Sequence, residues 1–360
     1  MISGPQASRK QQSLLNQYSS FISDALLRQR ARSAEQSAQI EVLVSGLNNP
    51  RGLTMGPDGA VYITEAGRAG DEAVKAGFYH VPFNIGRSAR VTRVLPDGTW
   101  QVVLDNLPSV KTPDDVFGAT GVAFVDDTLY VLTAAGGRDV GDPTYDNAIL
   151  RVSPSGAVDT LVNITQLNYQ NPPLARLRDL RADVEGGVPF GLTAMGGRLY
   201  ATDGNLETVT EVNLDGTTRR LVELPASNRV LVGLTGAPDG SLWVAEYGPL
   251  PHQPGASKIS RLTLDGEMTV AWAGLTEAIQ VAFGPDGSAY VLQFASRSRV
   301  TSSGSLIRRW PDGHLETLAT GLNYPTGLAL GPDGSFYVSE NGHKSENGTG
   351  RVLRIRPASS

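Results

Sequence analysis

Residues 41–65 (EVLVSGLNNPRGLTMGPDGAVYITE) and 316–340 (ETLATGLNYPTGLALGPDGSFYVSE) are one unit written twice, about 250 residues apart. They align without a gap, and fourteen of twenty-five positions are identical. Copies near both ends of a chain point to a repeat architecture, in which each unit buries its apolar face on a neighbour. They also predict a closed ring, because the chain opens partway through the unit that ends it.

The same unit recurs between the copies. A hydrophobic run opening near Pro-x-Gly leads to a Gly-Pro-Asp-Gly turn, then to an aromatic-led strand ending in a polar residue. A variable loop, a strand, a second Asp-Gly-type turn and a last strand follow. Aligning the aromatic gives Tyr62, Tyr130, Tyr200, Trp243, Tyr290 and Tyr337, hence six units. Asp-Gly and Gly-Gly between alternating apolar residues are hairpin signals, because such turns need positive φ. Eleven in phase describe a four-stranded antiparallel unit repeated six times, which is the blade of a β-propeller. The sixth unit lacks a fourth strand after residues 351–355, and 41–45 matches 316–320, the fourth strand of unit five. The fold expected is all-β: a six-bladed propeller closed by an N-terminal strand that completes the last blade.

Residues 1–39 form a separate extension. Leu14, Leu15, Tyr18, Phe21, Ile22, Ala25 and Leu26 make one apolar helical face, with Arg9, Lys10, Arg28, Arg30 and Arg32 around it. Such a helix suits the flank of the propeller at 40–360, with a membrane surface or partner as the alternative. The net charge of −5 argues against nucleic acid, which needs a basic footprint. The absence of cysteine excludes disulfides, thiolate zinc and thiol catalysis. No apolar run is long enough to span a membrane, and no apolar secretory core is visible at the N-terminus.

The blade order places the Pro-x-Gly residues, the ends of the second strands and the loops after them on one face, called the top. Insertions at 66–89 and 134–147 fall there, as does a crossover at 163–188 whose LARLRDLRADVE suggests a lid helix. Long loops on one face of a rigid scaffold are where function concentrates. The second strands end at Glu65, Thr133, Asp203, Glu246, Gln293 and Glu340. His80, His252 and His343 fall in top loops, and only His314 in a bottom turn. The residues nearest the axis are Arg51, Thr120, Phe190, Val232, Ile279 and Thr326.

Two readings fit these residues. In one, Glu/His pairs ligate a divalent metal or exchange protons in a top-face pocket. In the other, each acid caps the N–H groups of its own loop, since a catalytic residue need not recur in every blade. Arg51, near an apolar axis, needs a partner: Glu65 or an anionic ligand group.

Six-bladed propellers of this texture include calcium-dependent lactonases and phosphotriesterases, whose axial metal is held by Glu, Asn and Asp. The six axial residues here include no carboxylate or amide. NHL-repeat propellers share the general pattern. The segments SGLNNPRGLTMGPDGAVYITEAGRAG, LPSV with ATGVAF, and EYGPLPHQPGASKISRLTLDG with GLTEAIQVAFGPDGSAYVLQF resemble the ScyD/ScyE family over residues 41–357. In blade three the family's Asn-Pro-Tyr-Gly is replaced by Val188-Pro189-Phe190-Gly191. The resemblance implies an exported protein, periplasmic or secreted. For the family's named member it implies metal-assisted oxidative coupling of indole-phenol monomers.

Two functions follow as expectations. The first is a metal-assisted enzyme acting on an aromatic or phenolic small molecule. Its catalytic groups would be Glu65, Glu340 and His343, its metal ligands Glu65, Glu246 and Glu340, and its substrate contacts Arg51, Phe190, Tyr247 and His252. The second is a non-catalytic propeller that binds a ligand or protein through its top loops.

Overall fold

Six antiparallel sheets surround a central axis in the computed structural model, which describes residues 38–74, 82–174, 186–225, 229–249, 251–295, 300–343 and 346–357. The expected N-terminal helix, His80 and the 175–185 part of the expected lid lie outside these residues. Each blade runs from an inner strand outward. Blade one begins with Pro50–Met55, blade two with Ala119–Val125, blade three with Pro189–Met195, blade four with Leu231–Gly236, blade five with Ala278–Phe283 and blade six with Gly327–Leu330. The fourth strand of blade six is Gln39–Leu47, paired antiparallel with Gly350–Arg356. The ring is therefore closed by the N-terminal strand, as the duplication requires.

The recurrent Pro-Asp-Gly turn has a double purpose. The Asp oxygen caps the N–H two residues on, as Asp58 does for Ala60 and Asp333 for Ser335. Its carboxylate also receives an arginine from the third strand: Arg93 to Asp58 at 2.6 Å, Arg261 to Asp239 at 2.8 Å, and likewise Arg308 to Asp286 and Arg354 to Asp333. One aspartate thus shapes the hairpin and ties it to the next strand.

The glycine of Pro-x-Gly lets adjacent inner strands approach at the axis. A Cβ on Gly52 would lie 2.6 Å from the Thr120 carbonyl of blade two, and one on Gly327 2.2 Å from the Arg51 carbonyl of blade one. Across the closing seam, the Ser339 hydroxyl donates to the Arg51 carbonyl at 2.8 Å and the Thr326 hydroxyl to that of Pro50 at 2.6 Å. Between these blades Val44, Leu47, Ile63, Tyr337 and Val352 form one apolar cluster. Each such side chain contributes about 1.5–3 kcal/mol on burial.

Blade one departs from the repeat in a way that shapes the site. Its third and fourth strands, Phe83–Val94 and Trp100–Lys111, have 12 residues each and carry the sheet upward past its neighbours. Part of the expected 66–89 loop is therefore strand, with Glu72–Val74 and Val116–Phe117 paired to the extension. The 134–147 insertion forms two short 3₁₀ turns, and the 163–188 crossover opens with a helix, Ile164–Gln170, capped by the Asn163 side chain.

Candidate functional site

The six second strands end where expected, at Glu65, Thr133, Asp203, Glu246, Gln293 and Glu340. The three glutamates are almost fully buried, and each is occupied locally. Glu65 accepts from the Asn48 N–H at 2.7 Å, from Arg90 at 2.6 and 3.0 Å, and from the Thr92 hydroxyl. Glu340 accepts from the Asn323 N–H at 2.6 Å and from Arg351 at 2.7 Å. Glu246 is clamped by Arg229 and the Ser260 hydroxyl, with Lys258 at 3.3 Å. In blade five the uncharged Gln293 accepts from the Thr276 N–H at 2.7 Å, the same link 17 residues back along the chain. The residues after the strand ends add a second link, with Ala66 N–H donating to Asn49 O and Phe294 N–H to Glu277 O. These acids are loop anchors.

Their chemistry does not fit a divalent cation. Each carboxylate already faces one or two cationic side chains, and a metal would have to displace them against short, charge-assisted bonds. Among the described residues no three His, Asp or Glu side chains are grouped to hold an ion. Glu65, Glu246 and Glu340, the expected metal ligands, and Glu65 and Glu340 as expected catalytic groups, are thus each engaged with their own loop and strand, the arrangement the loop-capping alternative describes.

The other nominated residues are drawn together. A cavity of about 400 Å³ at the top of the axis is lined by Arg51, Phe190, Tyr247, His252 and His343, with Asp115, Phe294 and Tyr324 among the remaining wall residues. That volume suits a small organic molecule. Phe294 and Tyr324 stack at 5.2 Å between centroids, and His343 stands edge-on to both at 5.7 Å. On the other side Tyr247 meets His252 edge-on at 4.4 Å.

The polar centre of the cavity is Asp115. Arg51 donates to its Oδ1 at 2.7 Å and to the Val116 carbonyl at 2.7 Å, while His343 Nδ1 lies 3.1 Å from the same Oδ1. Arg51 thus pairs with Asp115 and not with Glu65, because Glu65 is taken by Arg90 and the blade-one extension delivers Asp115. Thr112 builds the turn that presents it, its hydroxyl accepting from the N–H groups of Asp114 and Asp115. Burial pushes the Asp115 carboxyl up, but the Arg51 charge and the His343 contact outweigh it and hold the group below the usual carboxylate range.

Asp203 shows the opposite balance. Three backbone N–H groups, from Val188, Asn205 and Leu206, donate to its Oδ1. Burial still prevails and raises its carboxyl to about 6.

Sequence reasoning missed Asp115, Glu277, Phe294 and Tyr324. Asp115 belongs to a Pro-Asp-Asp turn outside both in-phase turn sets, and that irregularity was its only signal. Tyr324 replaces Asn49 in the duplicated unit, two residues before the Arg51/Thr326 difference. Asn49, Val230, Glu277 and Tyr324 all precede an inner strand with φ between 45° and 54°. A β-branched or bulky side chain is unfavourable there, and sites of this kind gather at functional positions.

No known protein family matches the chain in sequence, and no curated protein does either. Solved structures match it in fold. A gluconolactonase of Xanthomonas campestris aligns with a TM-score of 0.55 at 14% identity, covering 91% of this chain and 93% of that one. A PQQ-bound aldose sugar dehydrogenase of Streptomyces coelicolor aligns at 0.54 and 15%, covering 89% and 98%. A virginiamycin B lyase of Staphylococcus aureus aligns at 0.50 and 15%, covering 89% and 99%. At these identities the likeness is one of scaffold.

Proposed function

We propose that this propeller is an enzyme that binds a small aromatic molecule in the top cavity and uses Asp115 and His343 as an acid–base pair. The observation that carries the reading is the Nδ1–Oδ1 contact of 3.1 Å inside a cavity walled by four aromatic rings, those of Phe190, Tyr247, Phe294 and Tyr324. A carboxylate on Nδ1 fixes the tautomer with its lone pair on Nε2, the arrangement a general base needs. Arg51 is a positioning residue: it keeps Asp115 ionised and oriented. The apolar wall strengthens every electrostatic contact formed within it.

The same scaffold carries a gluconolactonase and a virginiamycin B lyase, and a general base that removes a proton, from water in lactone hydrolysis or from carbon in an elimination, serves either kind of reaction. His343 is the group placed for it here. The resemblance to ScyD/ScyE propellers agrees with an aromatic substrate. The metal-assisted coupling implied for that family's named member has no matching ligand set among the described residues.

The test has two stages. Thermal shift and NMR titration with phenols, indoles and aryl lactones should reveal ligands whose signals perturb His343. Proton release from aryl lactones should then disappear in both His343→Gln and Asp115→Asn while the fold persists. Ligand binding without such loss would convert the reading to a non-catalytic binding propeller, and failure of the whole aromatic panel to bind would remove it.

A further inference from the structure

Glu277 differs from the strand-end glutamates and from Asp115. It is 1% exposed, one residue ahead of the inner strand of blade five, in the left-handed conformation at φ 48°. Glu65, Glu246, Glu340 and Asp115 each pair with an arginine, and Asp203 with three backbone N–H groups. Glu277 has the Tyr247 hydroxyl on Oε2 at 3.1 Å, and its Oε1 is buried with no partner among the described residues. A buried carboxylate with one neutral donor is short of positive charge. Tyr247 is itself a wall of the cavity, so Glu277 lies one phenol ring behind the ligand space.

The charge pattern of the cavity points the same way. Arg51 and Asp115 neutralise each other. Arg51 Nε is also buried without a partner among the described residues, but it belongs to this balanced pair and adds a donor position, with no net charge. Among the described residues, Glu277 is left as a carboxylate at the site that no cationic side chain faces. Around the space, Phe190, Tyr247, Phe294 and Tyr324 present aromatic rings, and Phe294 and Tyr324 form a stacked wall. Aromatic faces backed by a buried carboxylate attract an organic cation through the ring quadrupole and the charge together.

We infer that the ligand is a protonated aromatic amine, its ammonium beside Tyr247 and Glu277 and its ring against the Phe294–Tyr324 wall. This rests on the reading of the cavity as a small-molecule site and specifies its charge. Arg51 is then a scaffold cation with no anionic ligand group to meet.

Calorimetric titration of the full chain with three isosteres tests it: 2-phenylethylamine, 2-phenylethanol and 3-phenylpropionate. The titration is run at pH 8, where the amine keeps its charge. The amine should bind at least about 10-fold more tightly than the alcohol, with the acid weakest. Glu277→Gln should bring the amine down to the alcohol's affinity and leave the alcohol unchanged. Equal binding of all three, or preference for the acid, overturns the cationic ligand and leaves the small-molecule site standing. Binding by none of them removes both. An amine preference that survives Glu277→Gln overturns the role of Glu277. The isostere comparison on the unaltered protein decides the ligand's charge even where that variant does not fold.

Discussion

The ring of strand-end residues and the cavity share the top face and the same strands, yet they are built on opposite principles. The strand-end residues repeat from blade to blade. Glu65 and Glu340 meet the N–H 17 residues earlier, and the uncharged Gln293 does the same. The cavity is made of residues that break the repeat: Arg51 against Thr326, Asp115 on a turn peculiar to blade one, His343 and His252 in unlike loops, and Glu277 and Tyr324 ahead of inner strands. In a repeat protein, recurrence marks what every blade needs to fold. A site is where the copies differ and their differences converge.

That contrast can be broken experimentally, and the largest effect should come from the anchors. Glu246→Ala leaves Arg229 and Lys258 without their buried partner, and breaking such a pair costs about 3–5 kcal/mol. Urea denaturation should show this loss for Glu246→Ala and similarly for Glu65→Ala, while the folded fraction keeps its ligand affinity. A loss of affinity without a loss of stability would return these acids to the site.

Asp203 gives the next effect, through pH. Its folded carboxyl lies at about 6, above the usual 3.8 of an aspartate, so the native state holds the proton more tightly than the unfolded chain. That contribution is complete below about pH 4 and is lost as pH rises through 6, on the order of 2–3 kcal/mol. Asp203→Asn should flatten the decline in unfolding free energy across this window. Asp115 has the opposite sign: its carboxyl is held low, so its contribution is present above the unfolded value and fades as pH falls below it.

Gly327→Ala links the two regions. The new Cβ would meet the Arg51 carbonyl at 2.2 Å, and overpacking of this kind costs about 1–3 kcal/mol. Because the displaced backbone carries Arg51, ligand affinity should fall along with the melting temperature. The smallest stability change belongs to His343→Gln, within about 1 kcal/mol for a partly exposed side chain. Its effect on turnover should be the largest, at least about 100-fold. The order of stability effects and the order of functional effects are expected to run in reverse.

The nominated residues that line the cavity share a property visible in the chain. Arg51, Phe190, Tyr247, His252 and His343 are each unusual for their blade position, whereas Glu65, Glu246 and Glu340 are the rule for theirs. Asp115 was hidden because nothing in the repeat predicts where an extended hairpin will set its tip. Glu277 lies in a Leu-Thr-Glu-Ala run that carries no local signal of burial, and its contact with Tyr247 comes from the neighbouring blade.

The sequence by itself determined the six blades, the strand ends and the closing strand. Turn chemistry, alternation and duplication are local signals, and each unit carries its own copy. The tertiary structure decided which carboxylate meets which guanidinium. Arg51 and Asp115 are 64 residues apart, and Tyr247 and Glu277 belong to different blades. Burial makes those pairings selective, because a charge taken from water must be matched by whatever the ring brings beside it.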